Sequence, residues 1–549
     1  TANCYVKQKE NIKKMKEKII VQNYRRSSII LTFIVWALYF CGQDVTIAQE
    51  TVTISINDLR QHMDSIASDA TEGRFTGSHG YRKAAQYAAD LFREAGLNSG
   101  FTNEKCEKSW FQPVPFIRNN YSSASITMRK NGKKRTYAHS AGNFVILNHG
   151  IQKKNVKMAS PAFVGYGINE PDHGWDDYAG VNVKGRWVIL LNGIPPADAN
   201  NQTFSDSLRE LYSDWKTHDS LKLAALTRHE AAGLIVMPDK YATENWERTV
   251  LSNYRYNYIH YAEDSINKKT ESEPVLPVIL VHPELAQILF TGQNYNPVTS
   301  KGNYHPYVLE NAEIKVTIDC KKEFIDCYNV IAVVPGTDSV LRNEYITVGA
   351  HLDHLGKIGN HIYNGANDDA SGSVIILEAA KSIALNPPER SVLFVLYTSE
   401  EQHLTGSRHF LKNPLVSIEQ VSLNINLEQI GSKNRDFPGI WAIGNPQFKE
   451  SFYKAGKSLT ETDLKFDTAE EYKDVLRGNV DLWSYYEKNI PVIMLSSGGF
   501  PEHHTLQDKI NLIDFEHLHK AAVLLYSLIM EMGNGQQLND NIKTNFADK

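Results

Sequence analysis

The sequence predicts an α/β fold, a mainly parallel mixed sheet flanked by helices, with a β-rich domain inserted into it. From Tyr328 onward, short apolar runs rich in β-branched residues alternate with segments of helical periodicity. That alternation is typical of parallel strands covered on both faces. Between residues 125 and 315, short β-rich runs recur instead, with one helical segment, Ser220 to Ala232, among them. This change of pattern predicts a separate domain.

Length and charge narrow the class of protein. The chain has 549 residues, enough for two or three domains, and a formal net charge of −5. No block of basic residues is present, so we expect no nucleic-acid partner. The oligomeric state stays open.

The first fifty residues have the pattern of a targeting segment. Basic residues precede an apolar run, Ile29 to Phe40, and Thr46-Ile47-Ala48 places small residues where a signal peptidase cleaves. We therefore predict a signal peptide over residues 1–48 and a secreted or periplasmic protein. The apolar run is too short to span a bilayer, so we expect no stable membrane insertion after cleavage.

Two details refine this prediction. Met15 would begin a signal peptide of ordinary length, so residues 1–14 are expected to lie outside the natural coding sequence. Cys41 follows a bulky phenylalanine, which is unlike the usual lipoprotein signal, so lipid anchoring is not expected.

The mature chain is predicted to have four parts. Residues 49–120 form the N-terminal part of the main domain and read as helical up to 118, with one clear helix from His79 to Gly96. The inserted domain covers 125–315, the rest of the main domain 325–533, and a polar flexible tail 534–549. Cys320 and Cys327 flank a short turn-like stretch, where a disulfide and two free thiols are both compatible with the sequence.

The main domain is organised around residues 345–372. A strand, Tyr345 to Ala350, is followed at once by His351, Asp353 and His354, and a polar loop then brings Asp368 and Asp369 ahead of a helix. Histidine nitrogens and carboxylate oxygens suit zinc. Paired aspartates also cap helix N-termini, so this stretch alone leaves metal binding and capping open.

Four predicted strands of the main domain end just before acidic residues or histidines. Ligands of open α/β sheets bind at the carboxyl ends of the strands, so these side chains are expected to converge. They are His351 after Tyr345–Ala350, Glu400 and Glu401 after Ser391–Tyr397, Glu428 after Val421–Asn426, and His503 and His504 after Pro491–Leu495.

The charges of the candidate ligands favour two metal ions. We predict as ligands the set His351, Asp368, Glu401, Glu428 and His504. Its three carboxylates leave two zinc ions with a surplus of positive charge, which would hold a hydroxide at neutral pH. Glu400, beside a ligand, would face the water as general base. An isolated Glu-Glu pair is more often a solvated surface feature.

Several motifs then resemble the co-catalytic zinc exopeptidases of peptidase family M28. They are AHLDHLG, IYNGANDDASG, TSEEQHLTGS, NINLEQIGS and HHTLQDKI, in the family's order, with IASDATEGRFTGSHG before them. Residues 125–315 resemble the protease-associated domain inserted in many members.

The resemblance implies a role for each matching residue. His351 and Glu428 would bind one zinc, Glu401 and His504 the other, and Asp368 both. Glu400 would be the general base, and Asp353 would orient His351. A cis peptide would join Asp368 to Asp369. Two positions depart from the family pattern: Glu428 stands where aspartate is usual, and His503 where tyrosine often donates to the oxyanion.

The sequence therefore predicts a secreted dizinc aminopeptidase acting on peptides. A glutamate-type carboxypeptidase is an alternative that requires an arginine cluster, for which Arg408 and Arg477 are the nearby candidates. A glutaminyl cyclase would need a single zinc and no ligand at His351. A catalytically inactive, receptor-like binding relative is the alternative from another class.

Overall fold

The structure is a computed structural model that describes residues 54–102, 107–121, 123–147, 153–196, 204–213, 215–257, 259–262, 276–293, 304–358 and 360–535. The predicted signal peptide, Cys41, Cys106 and nearly all of the predicted tail lie outside these ranges. Within them, no helix combines the length and the apolarity needed to cross a bilayer.

Helices and strands are numbered in chain order. The α-helices are α1 (Ile56–Ala67), α2 (His79–Glu94), α3 (Asp206–Leu211), α4 (Trp215–Arg228), α5 (Lys240–Glu244), α6 (Trp246–Asn257), α7 (Pro283–Phe290), α8 (Ser371–Leu385), α9 (Thr405–Lys412), α10 (Lys449–Ala455), α11 (Lys473–Leu476), α12 (Leu482–Tyr486) and α13 (Phe515–Gly533). The strands are β1 (Asn98–Ser99), β2 (Phe101–Thr102), β3 (Lys108–Ser109), β4 (Phe111–Asn120), β5 (Ser125–Lys130), β6 (Lys133–Ala138), β7 (Phe144–Ile146), β8 (Lys153–Asn155), β9 (Ala162–Phe163), β10 (Asn169–Glu170), β11 (Trp175–Asp176), β12 (Trp187–Leu190), β13 (Gly233–Val236), β14 (Ile259–Tyr261), β15 (Val278–Val281), β16 (Tyr307–Val308), β17 (Ala312–Asp319), β18 (Lys321–Val334), β19 (Tyr345–His351), β20 (Gly356–Ile358), β21 (His361–Tyr363), β22 (Ser391–Tyr397), β23 (Val421–Leu427), β24 (Ile440–Gly444), β25 (Leu464–Thr468) and β26 (Val492–Ser496).

A ten-stranded sheet forms the centre of the main domain. Its strand order is β14-β4-β18-β22-β19-β23-β26-β24-β25, with β1 paired to β18. The four central strands, β22, β19, β23 and β26, are mutually parallel. Antiparallel pairs flank them on both sides. The prediction of a mixed α/β sheet is confirmed, and a further parallel pair, β24 and β25, lies at one edge.

Helices cover both faces of the sheet. One face packs against α1, α2, α8 and α13 in the largest apolar cluster of the described chain, and the other against α9, α11 and α12. The central strands β22 and β23 are buried along their whole length because both faces are covered. Their carboxyl ends therefore lie side by side at one edge of the buried sheet.

Residues 125–315 contribute most of two further sheets. A six-stranded sheet, β16-β9-β12-β13-β15-β7, is parallel from β9 to β15, and a four-stranded antiparallel sheet has the order β6-β5-β17-β8. Their inner faces share one apolar core. This segment also contains α3 to α7, so it has more helix than the single one that the sequence predicted.

Two other expectations differ from the structure. Residues 98–102 and 107–120 are not helical: Phe111–Asn120 forms the long strand β4, whose Pro113 and Pro115 concealed it. The segment 125–315 is not wholly separate, because β14 leaves it to pair with β4 in the main sheet. Of the two alternatives left open for Cys320 and Cys327, the structure has two free thiols, and Cys327 is buried in β18.

Candidate metal centre

Asp368 lies at the centre of the residues gathered at the carboxyl edge of the main sheet. Its Oδ1 is 3.1 Å from Nε2 of His351, the last residue of β19. Its Oδ2 is 3.1 Å from Nε2 of His504 and 3.2 Å from Nε2 of His503. The two oxygens of one carboxylate thus face histidines from two different strand ends. Burial alone would raise the pKa of Asp368, but these imidazole contacts hold it well below its usual value.

Each side of Asp368 has a further carboxylate. Glu428, which follows β23, places Oε1 3.5 Å from Nε2 of His351. Glu401, beyond β22, places Oε1 3.2 Å from Nε2 of His504. All five ligands predicted from the sequence therefore lie together, arranged on two sides of one aspartate.

Glu400 lies on the His351 side of this cluster. Its Oε2 is 3.9 Å from Nε2 of His351, and its side chain is one-tenth exposed, whereas that of Glu401 is buried. Burial raises the pKa of the Glu400 carboxyl well above its usual value. A carboxyl group of this kind can accept and return a proton near neutral pH.

Asp353 does not orient His351 in the predicted way. Nδ1 of His351 donates to the main-chain carbonyl of Asp353 at 3.0 Å, whereas the Asp353 carboxylate is 3.9 Å away. That carboxylate accepts instead from the backbone N–H of Glu400 at 3.1 Å and from the hydroxyl of Thr76 at 3.3 Å. Asp353 still fixes the tautomer of His351 through its carbonyl, and its side chain positions Glu400.

The two aspartates before α8 make different contacts, so the alternatives of metal binding and helix capping apply to different residues. Oδ1 of Asp369 accepts from the backbone N–H groups of Gly372 and Gln429, at 3.1 and 3.2 Å, so Asp369 caps the helix. Asp368 faces the histidines. A cis peptide joins the two residues, as the resemblance implied. The carboxylate of Asp508 accepts from the backbone N–H of Asp368 at 3.1 Å and steadies the loop.

Arg74 organises the loops that carry these residues, and the sequence indicated no role for it. Its guanidinium is fully buried and donates to four main-chain carbonyls, at 2.6–3.1 Å, those of Ile66, Leu352, Asn364 and Gly365. Leu352 follows His351, and Asn364 and Gly365 precede Asp368. Arg74 stands in the EGRFTG stretch, but most of its partners lie far away in the sequence, so no local pattern reveals the contacts.

His354 is a second residue that received no role. The ring is fully buried, and Nδ1 lies 2.9 Å from Oε1 of Glu401 and 3.7 Å from Oδ2 of Asp368. Burial lowers the pKa of His354 to about 4, so the ring is neutral at physiological pH. The sequence contained the residue in His-Leu-Asp-His, but the spacing did not distinguish a neighbour of the cluster from a loop histidine.

A cavity of about 580 Å³ opens onto the cluster. One wall carries Asp368, Glu400, Glu401, Glu428 and both His503 and His504. The opposite wall is mainly apolar and includes Trp441, Ile443, Tyr472, Leu476 and Met494. Among the described residues that line it there is no arginine or lysine. Arg408 donates to the carbonyl of His403, and Arg477 lies over the ring of Trp483.

The chemistry of the cluster fits metal ions. Two sets of potential ligand atoms, each within 4.8 Å of one another, are His354, Asp368, Glu401 and His504, and His351, Asp369 and Glu428. Nε2 of His351, Oδ2 of Asp368 and Oε2 of Glu428 are buried without a hydrogen-bond partner among the described residues. Buried polar atoms are nearly always satisfied, so several orphans around one point indicate a bound cation. Imidazole and carboxylate are ligands that zinc accepts.

This fold, with histidines and carboxylates at the carboxyl edge of its parallel strands, is that of the zinc exopeptidases. Residues 329–529, which contain every predicted ligand, match the model of peptidase family M28. The assignment of residues 125–315 as a protease-associated domain stays a prediction.

Curated relatives align over part of the chain. The leupeptin-inactivating enzyme 1 of Streptomyces exfoliatus is 30% identical over 179 residues, which cover 31% of this chain and 36% of that protein. An aminopeptidase of Pseudomonas aeruginosa is 32% identical over 177 residues, covering 29% and 31% respectively. The chain thus spans about a third of the length of these relatives.

Solved structures resemble most of the chain in fold. An aminopeptidase from Aneurinibacillus sp. strain AM-1 has a TM-score of 0.50 at 18% identity, over 89% of this chain and 97% of that one. A zinc aminopeptidase from Bacillus subtilis has a TM-score of 0.53 at 15% identity, over 89% and 98%. At these identities the likeness establishes the fold alone.

Proposed function

We propose that the protein is a zinc-dependent aminopeptidase that removes residues from the free amino end of peptides. The observation that carries the proposal is the set of buried, hydrogen-bond-deficient histidines and carboxylates around Asp368, inside a cavity wide enough for a peptide end. The similarity to the Pseudomonas aeruginosa aminopeptidase supports it by analogy.

Two zinc ions would be held, one between His351 and Glu428 and the other between Glu401 and His504, with Asp368 between them. When bound, two zinc ions at such a site lower the pKa of a water molecule and polarise a carbonyl group. Glu400 then takes a proton from the attacking water and passes it to the leaving amine. The N–H of Glu400, held by Asp353, keeps its carboxylate on the His351 side.

The charge of the cavity favours action at an amino end. A carboxypeptidase must hold a terminal carboxylate, which proteins usually bind with arginine. The described lining offers no arginine or lysine, whereas the carboxyl oxygens of Glu400 and Glu428 can accept hydrogen bonds from an ammonium group. Arg408 and Arg477, which a carboxypeptidase would require, do not line the cavity.

A glutaminyl cyclase and an inactive binding protein fit the cluster less well. A single-zinc cyclase leaves His351 and Glu428 without a purpose, although His351 contacts both Asp368 and Glu428. An inactive binding relative would not need five potential ligand side chains gathered around one aspartate. We further propose that the mature enzyme is secreted, and that residues 125–315, as a protease-associated domain, limit access to the cleft. Its partners are then peptide substrates.

The test is a paired assay with metal counting. Purified protein is offered aminoacyl p-nitroanilides and the same compounds acetylated on the amino group, while zinc is measured per chain. The expected result is about two zinc ions, cleavage of the free-amine substrates only, and loss of cleavage on chelation that zinc restores. Full activity with one zinc, or cleavage at a carboxyl end of blocked peptides alone, would overturn the proposal.

A further inference from the structure

His354 contacts two predicted ligands but has no function in the five-ligand set. Its Nδ1 lies 2.9 Å from Oε1 of Glu401 and 3.7 Å from Oδ2 of Asp368. Neither ring nitrogen makes a hydrogen bond to another described residue, although the ring is fully buried. A buried imidazole of this kind needs a partner, because each unmet polar group costs about 1–3 kcal/mol.

Nδ1 of His354 lies 2.9 Å from Oε1 of Glu401 without meeting the geometry of a hydrogen bond. Two atoms that bind the same metal ion have this relationship, since each is aimed at the ion and not at the other. The orientation therefore favours a shared cation over a direct bond.

The spacings of the ligand atoms support the same conclusion. A tetrahedral zinc site with bonds of 2.0–2.1 Å has its ligand atoms about 3.3 Å apart. Here His354 Nδ1 and His504 Nε2 lie 2.9 and 3.2 Å from Oε1 of Glu401, and 3.7 and 3.1 Å from Oδ2 of Asp368. All four residues offer ligand atoms that lie within 4.8 Å of one another. Four of the six distances between ligand atoms, 2.9–3.7 Å, thus lie close to the value for a tetrahedral site.

The set around His351 also has a fourth candidate. The carboxylates with an oxygen within 4.0 Å of a ring nitrogen of His351 are those of Asp353, Asp368, Glu400 and Glu428. Asp353 faces the Nδ1 side, and Glu400 is at 3.9 Å. Asp369 offers a further ligand atom beside His351 and Glu428: its Oδ1 accepts from two backbone N–H groups, but its Oδ2 is buried with no hydrogen-bond partner among the described residues. The number of protein atoms therefore does not separate the two sets.

We propose that His354 is a fourth protein ligand, through Nδ1, of the metal site formed by Asp368, Glu401 and His504. This inference rests on the proposed zinc-dependent function. The site would then have four protein ligands, two imidazole nitrogens and two carboxylate oxygens.

A crystal structure of the zinc-loaded wild-type protein, with anomalous scattering to locate zinc, tests this without a mutation. The expected result places one ion at bonding distance from Nδ1 of His354 and from the three other atoms. An ion that has a water in the position assigned to Nδ1 would overturn the proposal.

Zinc affinity supplies an independent measurement. His354→Gln is compared with His503→Gln, a matched change in an imidazole that also faces Oδ2 of Asp368, at 3.2 Å, but lies outside the set of four. Removing a residue that merely hydrogen-bonds to a ligand typically costs 10–100-fold in affinity. We expect His354→Gln to lower the zinc affinity of the site that contains Asp368, Glu401 and His504 by more than about 100-fold. The variant should then hold one zinc per chain after dialysis.

The control separates failure of this inference from failure of the proposed function. His503→Gln is expected to keep both ions. If wild type holds two zinc ions and cleaves substrate but His354→Gln retains both with a loss below about 100-fold, only the assignment of His354 is wrong. If wild type binds no zinc, the proposed function itself fails. The crystal structure of the zinc-loaded wild type covers the case in which His354→Gln does not fold.

Discussion

Two sheets in this molecule have parallel strands with polar residues at their carboxyl ends, but only one of these two sheets has a candidate site among the described residues. In the six-stranded sheet, Asn192, Asp239 and His282 follow β12, β13 and β15. Asp239 accepts from the backbone N–H of Ala242, at the start of α5, and from the side chain of Asn192. Nδ1 of His282 accepts from the backbone N–H of Glu284 in α7.

In the ten-stranded sheet, the ligand atoms that follow the parallel strands are not occupied by such hydrogen bonds. Nε2 of His351, Oδ2 of Asp368 and Oε2 of Glu428 are buried and have no hydrogen-bond partner in the described part of the chain. The comparison shows that a strand-end position brings polar groups together, but that unmet hydrogen-bonding capacity distinguishes a ligand from a helix cap. Four predictions test this distinction, from the largest expected effect to the smallest.

Removing one charged ligand should have the largest effect. We expect Glu401→Gln to lose zinc from the site it shares with His504 and to reduce activity to background, because an amide is a poor zinc ligand and the anionic charge is gone. Zinc per chain and kcat/KM measure this.

The matched control is Asp239→Asn, which neutralises a strand-end carboxylate of the other sheet. It should keep two zinc ions and wild-type activity, because Asp239 caps a helix. Equal zinc loss in the two variants would show that the comparison between the sheets is wrong.

The next effect concerns the neighbour of that ligand. Glu400→Gln keeps the size of the side chain but removes its basic oxygen, and general acid–base catalysis is typically worth about 10²–10⁴-fold. We expect kcat to fall by about that factor, with two zinc ions retained and KM little changed. Zinc loss in Glu400→Gln in place of Glu401→Gln would invert the roles assigned within the pair. Retained activity in Glu400→Gln would overturn the proposed hydrolytic mechanism.

The strand-end residues could be found from the sequence because apolar strands such as β22 and β23 are continuous runs with sharp ends. Their convergence followed from the rule for parallel sheets. The contributions of Arg74 and Asp508 could not, because they bridge loops that are far apart in sequence and carry no periodic pattern. The carbonyl of Asp353, which replaced its carboxylate as the partner of His351, depends on a main-chain path that side-chain spacing does not encode.

The third prediction concerns the frame that holds the unsatisfied ligands in place. Arg74→Lys leaves one ammonium group to serve four carbonyls, which a single point donor cannot span. With at least two buried carbonyls unmet, at about 1–3 kcal/mol each, we expect the free energy of unfolding to fall by about 3 kcal/mol or more. Urea denaturation with zinc present measures it.

Arg82→Lys is the control, since Arg82 donates to the carbonyl of Gly77 from an exposed position. It should cost less than about 1 kcal/mol. We also expect Arg74→Lys to weaken zinc binding, because the loops that carry His351 and Asp368 lose their common anchor. Wild-type stability and zinc affinity in Arg74→Lys would remove Arg74 from the frame of the site.

The smallest effect returns to the six-stranded sheet and isolates the cap. Asp239→Ala removes the acceptor for the N–H of Ala242, held at 2.7 Å, and for the Asn192 amide, at 3.0 Å. Loss of an N-cap typically costs about 1 kcal/mol, and we expect that loss in urea denaturation. Ser205→Ala, which removes the cap of α3, should cost a similar amount. Neither should change zinc content or kcat, because both caps lie in the inserted segment. A change in zinc content in Asp239→Ala alone would mean that the ends of β12 and β13 also serve the metal centre. Unmet hydrogen-bonding capacity would then fail to distinguish a metal ligand from a helix cap.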